Sequence, residues 1–157
     1  RIFQIIQISK MKIIALRGKE NCGKTETLTI VYLRVLGNKG KSTCKKTEGN
    51  PKFKDFSDIV KYKGLRVAFF TMGDYSTVTT RIIKEYHALN VDVLILASNT
   101  KFVKPIELIK KHNNELIDKI IATTNTKKDQ KTENDSFADR IFGLIENLIC
   151  TKQKNGK

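Results

Sequence analysis

One stretch of eight residues strongly constrains how this chain folds. It runs from Gly18 to Thr25 and fits the pattern G-x-x-x-x-G-K-[ST]. The apolar run from Lys12 to Arg17 precedes it and predicts a short buried strand, and apolar residues recur after it at helical spacing. Because the motif joins a strand pattern to a helix pattern, we expect a β-strand, a tight loop and an α-helix in direct succession.

The residue types in this loop suit a polyphosphate ligand. Gly18 and Gly23 permit the backbone angles that turn successive N–H groups inward around an anion. We expect Lys24 to place its ammonium against the terminal phosphates, and the Thr25 hydroxyl to hold Mg²⁺ at the positive end of the helix. The other expected binding residues act mainly through their backbones: Lys19, Glu20, Asn21, Cys22 and Glu26.

Through this motif the chain resembles the P-loop NTPases. The motif covers eight of the 157 residues. The resemblance implies ATP or GTP as ligand, Mg²⁺ as cofactor, and a three-layer α/β sandwich with helices on both faces of a mostly parallel five-stranded sheet. The predicted order of elements also looks like the core of the Ras-like small GTPases without its last strand, with one antiparallel hairpin strand.

The base-reading element [NT]-K-x-D of the Ras-like family has a counterpart at residues 126–129 of this chain. If that likeness holds, Asp129 accepts hydrogen bonds from guanine and Lys127 lies along the ring. A polar loop that matches the pattern by chance is the alternative. The D-x-x-G element of the family is absent, since Gly73 is present but Phe70 stands where the aspartate belongs.

A second candidate metal ligand follows a predicted hairpin. Alternating residues from Phe56 to Tyr62 and from Leu65 to Phe69 predict two antiparallel strands joined by a two-residue turn. The returning strand leads to Asp74, at the carboxyl edge where open α/β sheets bind ligands. Asp74 is therefore the expected catalytic carboxylate and partner of Mg²⁺, with capping of the next helix as the alternative.

The rest of the chain supplies weaker predictions. We expect a polar loop from Gly37 to Pro51, a strand from Val91 to Ala97, a helix opened by Pro105, and a brief strand from Lys119 to Ala122. The last helix is expected to follow capping residues Asn134, Asp135 and Ser136, with the apolar stripe Phe137, Ile141, Leu144, Ile145 and Leu148.

Length and composition predict a single domain over residues 11–150. Residues 1–10 are expected to be an upstream extension or a loosely attached segment, and residues 151–157 a frayed basic tail. Three widely spaced cysteines favour a reducing cytoplasm, and no apolar run is long enough for a membrane span. The net charge of +14 is spread along the chain, so it favours nucleic acid as a partner only weakly.

Three functions fit these patterns. The first is a Mg²⁺-dependent nucleoside triphosphatase in which Lys24, Thr25 and Asp74 serve the transferring phosphoryl group. The second is a kinase for a nucleotide or small metabolite, with the basic segment from Lys39 to Lys54 as a lid or acceptor site. The third is a nucleotide-switched regulatory binding protein with little intrinsic turnover, whose partner is another protein, a second copy of itself or a nucleic acid.

Overall fold

The computed structural model describes residues 11–119 and 126–155, with side chains up to residue 153. Within these ranges, seven strands form one mixed sheet and four α-helices accompany it. The strands are β1 (Lys12–Gly18), β2 (Lys41–Ser42), β3 (Lys46–Thr47), β4 (Phe56–Tyr62), β5 (Leu65–Phe70), β6 (Val93–Asn99) and β7 (Asn113–Asp118). The helices are α1 (Lys24–Gly37), α2 (Ser76–Ala88), α3 (Lys104–Lys110) and α4 (Lys127–Asn155), and a 3-10 turn spans Pro51–Phe53.

The sheet has the order β2-β4-β5-β6-β1-β7, and β3 also pairs with β4. Strands β5, β6, β1 and β7 run parallel, whereas β4 runs antiparallel to β5. The turn between β4 and β5 places Lys63 at φ 49° and Gly64 at φ 83°, which is typical of tight hairpins. The predicted α/β class and the antiparallel hairpin strand are thus confirmed, but the sheet has seven strands rather than five.

Two apolar clusters lie on opposite faces of the sheet. On one face Ile14 and Leu16 of β1 pack with residues of α1 and α4, among them Leu28 and Ile141. On the other face the intervening β1 residues, Ile13 and Ala15, pack with residues of α2 and α3, among them Ile82 and Ile109. The side chains of a strand alternate between the two faces of the sheet. Helices must therefore cover both faces to bury a largely apolar strand such as β1 or β6. The helices therefore form two outer layers around the sheet.

The predicted loop from Gly37 to Pro51 is wrong in part. Residues Lys41–Ser42 and Lys46–Thr47 form β2 and β3, which pair with the outer edge of β4. An edge strand presents unpaired N–H and C=O groups, and this segment satisfies some of them. Each short strand has only two residues with exposed side chains. The sequence of this segment therefore shows no alternation of apolar and polar residues that would predict β2 or β3.

The strand predicted from Lys119 to Ala122 is wrong at its start, because β7 spans Asn113–Asp118. Residues 120–122 lie outside the described part of the chain. Strand β7 is an edge strand, paired with β1 alone among the described strands, and its side chains are mostly half-exposed. Polar residues are acceptable there, so no apolar run marks the strand.

The predicted start of the last helix is also wrong. Helix α4 begins at Lys127, and Asp129 donates its backbone N–H to the Thr126 hydroxyl oxygen at 3.1 Å. The expected caps, Asn134, Asp135 and Ser136, therefore lie inside the helix. The helix continues to Asn155, so the expected frayed tail is helical up to that residue. Residues 1–10 and 156–157 are outside the described ranges, and none of the described helices has the length and hydropathy needed to cross a bilayer.

Candidate functional site

The eight-residue motif forms the turn between β1 and α1, and residues 18–25 are called the glycine loop here. Strand β1 ends at Gly18 and α1 begins at Lys24. The strand is hydrogen-bonded to β6 on one side and to β7 on the other. The glycine loop therefore emerges from the carboxyl edge of the parallel part of the sheet, where α/β folds bind their ligands.

Both glycines of the motif are required by geometry. Gly23 has φ +91°, and a Cβ at this position would lie 2.6 Å from Asn134 Oδ1. A Cβ on Gly18 would lie 2.5 Å from Cys22 Sγ and 3.0 Å from the Lys119 carbonyl oxygen. A larger residue at either position forces the loop or its neighbours to move. The close approaches show that α4 and the end of β7 support the loop from behind.

Six consecutive backbone amides of the glycine loop lack acceptors in the part of the chain that the structure describes. None of the N–H groups from residue 20 to residue 25 donates a hydrogen bond to another described residue. Gly23 is the N-cap of α1, and no side chain caps this helix end. Consecutive unpaired N–H groups at a helix start carry partial positive charge, and such a group binds anions.

Lys24 lies over the loop. It is 6% exposed, and its ammonium donates to the carbonyl oxygens of Gly18 and Lys19, each at 2.8 Å. The ammonium thus remains beside the loop rather than reaching into bulk solvent. A buried positive charge next to free amides adds to the attraction for an anion.

Asp55 contacts the glycine loop, although the sequence analysis did not select it. Thr25 donates its hydroxyl hydrogen to Asp55 Oδ1 at 2.9 Å, and Thr71 donates to the same oxygen at 2.9 Å. Thr71 also accepts the backbone N–H of Phe56 at 3.0 Å. Asp55 is 9% exposed, so its carboxylate is held in a fixed position beside the first turn of α1.

The antiparallel hairpin explains how Asp55 reaches the site. Because β4 runs against β5, the residue before β4 lies at the same edge of the sheet as the residues after β5. Ser57 pairs with Phe70, so Asp55, two residues earlier, lies next to the chain that follows β5, where Thr71 donates to it. The site residues predicted at this edge all follow strands, whereas Asp55 precedes one. The predicted hairpin was itself a signal, since it implies that the residue preceding Phe56 returns to the carboxyl edge.

A cavity of about 520 Å³ opens in front of the glycine loop. The lining from the glycine loop and the start of α1 consists of Glu20, Asn21, Gly23, Lys24, Thr25 and Glu26. The lining from the chain before β4 and after β5 consists of Gly49, Asn50, Phe53, Asp55, Thr71, Met72, Gly73, Asp74 and Tyr75. Phe53 and Tyr75 are 66% and 60% exposed, so both rings are accessible at this cavity. The cavity is large enough for a small-molecule ligand.

Asp74 lies in the wall of this cavity and is exposed. It forms no hydrogen bond or ion pair with another described residue, and Asp55 is the carboxylate that contacts Thr25. The alternative that Asp74 caps the next helix is wrong, because the N-cap of α2 is Tyr75 and no side chain caps it. The role of Asp74 as a metal partner stays a prediction.

The remaining expected site residues are more peripheral. Glu26 is exposed in the first turn of α1 and lines the cavity. Lys127 and Asp129 are exposed in the first turn of α4, where the Thr126 hydroxyl caps the helix. Their proposed contacts with a guanine base stay a prediction. Among the described residues, no group of three or more His, Cys, Asp or Glu side chains converges on a metal position.

A second, more apolar cavity of about 460 Å³ shares Thr25, Glu26, Phe53 and Asp55 with the first. Tyr32 and Phe56 line it, and their rings pack with centroids 4.6 Å apart. Burial, together with the hydrogen bond to Asp58, raises the pKa of Tyr32 to about 12. The hydroxyl therefore stays protonated at neutral pH and holds the buried Asp58 carboxylate.

Comparisons of this chain with protein-family models, with curated proteins and with solved structures found no match.

Proposed function

We propose that this chain binds a Mg²⁺–nucleoside triphosphate on the glycine loop and hydrolyses it, as a P-loop NTPase-like protein. One observation carries the proposal: beside the buried ammonium of Lys24, the consecutive backbone amides of residues 20–25 have no acceptor among the described residues. Residues 22–25 are buried or half-buried, where N–H groups without partners cost free energy, and a polyphosphate supplies acceptors for several of them at once.

The Thr25–Asp55 pair fits a magnesium ion. Mg²⁺ prefers octahedral oxygen ligands at about 2.0–2.1 Å, so neighbouring ligand oxygens lie about 2.9 Å apart. The hydroxyl oxygen of Thr25 and the Asp55 carboxylate oxygen are 2.9 Å apart, which is the length of the hydrogen bond between them and is also compatible with this spacing. Mg²⁺ commonly binds one or two protein groups together with phosphate oxygens and water, so a larger cluster of carboxylates is not required.

Each residue has a defined part in hydrolysis. The loop amides and Lys24 bind the phosphates and stabilise negative charge as the bond to the γ-phosphorus breaks. Thr25 and Asp55 hold the metal position, where Mg²⁺ when bound neutralises phosphate charge. Water attacks the γ-phosphorus, the nucleoside diphosphate leaves, and the proton of the water passes to solvent or phosphate.

The basic test is binding, measured as thermal stabilisation by Mg·ATP, Mg·GTP and their diphosphates. The wild-type protein should be stabilised by at least one of these nucleotides, and Lys24→Ala should abolish the shift. Lys84→Ala, which removes an exposed lysine from α2, is the control and should retain it. An equal shift in Lys24→Ala and wild type would show that the glycine loop is not the site. Comparison of the two bases decides between adenine and guanine.

Phosphoryl transfer to a small acceptor is the second candidate function. The cavity continues from the glycine loop to Asn50, Phe53 and Tyr75, which leaves space beside the expected γ-phosphate for another molecule. Apart from Lys24, the residues of the cavity lining that are charged at neutral pH are all acidic: Glu20, Glu26, Asp55 and Asp74. We therefore expect any acceptor to be neutral or cationic rather than a second phosphate compound.

Measurement of product separates the two functions. Phosphate release without an added acceptor indicates hydrolysis, whereas nucleoside diphosphate that forms only with added metabolites indicates a kinase. Tight Mg²⁺–nucleotide binding without either product would favour a switch that depends on a partner.

A further inference from the structure

Lys119 is a buried charged residue that the proposed chemistry leaves without a role. It directly follows β7 and is 5% exposed. Its ammonium donates to the carbonyl oxygen of Cys22 and to Glu133 Oε1, the latter at 3.0 Å. The same nitrogen lies 5.5 Å from the centroid of the Phe137 ring. A lysine ammonium is costly to bury, so its position beside the glycine loop requires an explanation.

The contact with Cys22 determines the orientation of one peptide group in the loop. In a trans peptide the C=O and the following N–H point in opposite directions, and the structure has no cis peptide among its described residues. Lys119 holds the Cys22 carbonyl on the side of α4. The N–H of Gly23 therefore points away from α4, toward the cavity side of the loop.

Gly23 permits this arrangement because it lacks a side chain. A Cβ on Gly23 would lie 3.2 Å from the Lys119 ammonium and 2.6 Å from Asn134 Oδ1. The support of the loop thus consists of Lys119 and two consecutive residues of α4, Glu133 and Asn134. Lys24 contacts the carbonyls of Gly18 and Lys19, so the two ammonium groups hold different peptide groups of one loop.

We propose that Lys119 is a positioning residue for nucleotide binding: with Glu133 it fixes the Cys22–Gly23 peptide so that the Gly23 amide faces the phosphates. The proposal rests on the proposed function, because it assumes a phosphate ligand in the loop. Glu133 balances the charge of the ammonium and ties its position to α4. Movement of α4 would therefore change the affinity of the loop for phosphate.

The experiment compares nucleotide affinity with folding stability in matched variants. Lys119→Met keeps the apolar stem and removes the ammonium. We expect it to weaken binding of Mg·ATP or Mg·GTP, whichever the wild type prefers, by about tenfold to a hundredfold, measured by calorimetry. Lys119→Arg retains a donor and should recover part of the affinity. Lys152→Met is the control, since Lys152 donates to the Gly64 carbonyl at the opposite edge of the sheet.

A double variant distinguishes positioning from simple structural support. Lys119→Met leaves Glu133 without its partner, so urea midpoints should fall. Lys119→Met with Glu133→Gln removes both charges and should recover the midpoint, because a neutral pair avoids a buried unpaired charge. If affinity stays low in the double variant, the positioning role is supported. If affinity recovers together with stability, or if Lys119→Met binds within twofold of wild type, the positioning role is wrong.

The outcomes also separate this inference from the proposed function. If wild-type protein binds and Lys24→Ala does not, the glycine loop is the site, and an unchanged Lys119→Met then overturns only the role of Lys119. If the wild type binds no nucleotide, the proposed function fails and the inference fails with it. If Lys119→Met does not fold, nucleotide affinity and urea midpoint are compared between the double variant and Glu133→Gln instead, since these two differ only in the Lys119 ammonium.

Discussion

Thr25 and Asp55 are 30 positions apart in the sequence, yet the Thr25 hydroxyl donates to Asp55 Oδ1 at 2.9 Å. The contact joins the first turn of α1 to the residue that precedes the antiparallel strand β4. Thr71 holds the same carboxylate oxygen from the end of β5. Three separate segments of chain thus meet at one oxygen atom, and the role of this junction can be tested.

The first prediction concerns which carboxylate positions the proposed magnesium ion. Asp55→Asn keeps an oxygen that accepts from Thr25 but removes the negative charge. We expect the Mg²⁺-dependent part of nucleotide affinity to fall by about tenfold or more, with little change when Mg²⁺ is omitted. Asp74→Asn is the comparison and should have the smaller effect. A larger loss in Asp74→Asn than in Asp55→Asn would favour Asp74 as the metal partner.

The second prediction concerns the residue that holds Asp55. Thr71→Val removes the hydroxyl that donates to Asp55 and accepts the Phe56 N–H. A buried N–H without a partner costs about 1–3 kcal/mol, so the free energy of unfolding should fall by this amount in urea titrations. Thr132→Val, at an exposed position in α4, should change it by less than about 0.5 kcal/mol. Equal stability of the two variants would contradict the structural role of Thr71.

The third prediction compares Gly23, which has a positive φ and close neighbours, with Gly143, which lies in a helix with open space around it. Gly23→Ala places a Cβ at φ +91° and 2.6 Å from Asn134 Oδ1, so it should destabilise the protein by more than about 1 kcal/mol and prevent nucleotide binding. Gly143→Ala lies in α4 with open space around the added carbon. It should stabilise the protein by about 0.5–1 kcal/mol. A Gly23→Ala variant with wild-type stability would mean that the loop adopts another conformation.

The fourth prediction concerns alkaline pH. The pKa of Tyr32 is raised to about 12, mainly by burial and then by the hydrogen bond to Asp58, whereas an unfolded tyrosine has a pKa of about 10. A raised pKa stabilises the folded state fully below pH 10, and this contribution is lost as the pH rises toward 12.

Urea midpoints measured from pH 9 to 12 test this effect. Tyr32→Phe should be less stable than wild type at pH 9, and the difference should shrink by pH 12. Tyr75→Phe, at an exposed tyrosine, is the matched control. A constant difference across this range would show that Tyr32 does not contribute to the alkaline loss of stability.

Local patterns predicted the first β-loop-α unit and the hairpin well. The apolar run before Gly18 forms β1, and the helical stripe after the loop, with Leu28 and Val31, is fully buried in α1. The β4–β5 turn also lies where Lys63 and Gly64 predict it. These elements were predictable because each depends on burial periodicity or turn geometry within a few residues.

Elements at the sheet edges were not predictable in the same way. β7 begins with Asn113 and Asn114, and the two-residue strands β2 and β3 have exposed side chains. Backbone hydrogen bonds to a neighbouring strand stabilise these strands, and such bonds leave no periodic pattern of apolar side chains in the sequence. The start of α4 at Lys127 was not predicted either, because residues 127–132 are polar and exposed and carry no apolar stripe.

The sequence by itself determined the α/β class of the fold and the place of the glycine loop between β1 and α1, because the apolar periodicity and the two glycines act within a few residues of one another. Only the tertiary structure decided which carboxylate contacts Thr25 and which groups support the loop from behind. Asp55, Lys119 and Glu133 reach the loop through strand pairing and helix packing. Such contacts depend on the order and direction of strands in the sheet, which no local pattern encodes.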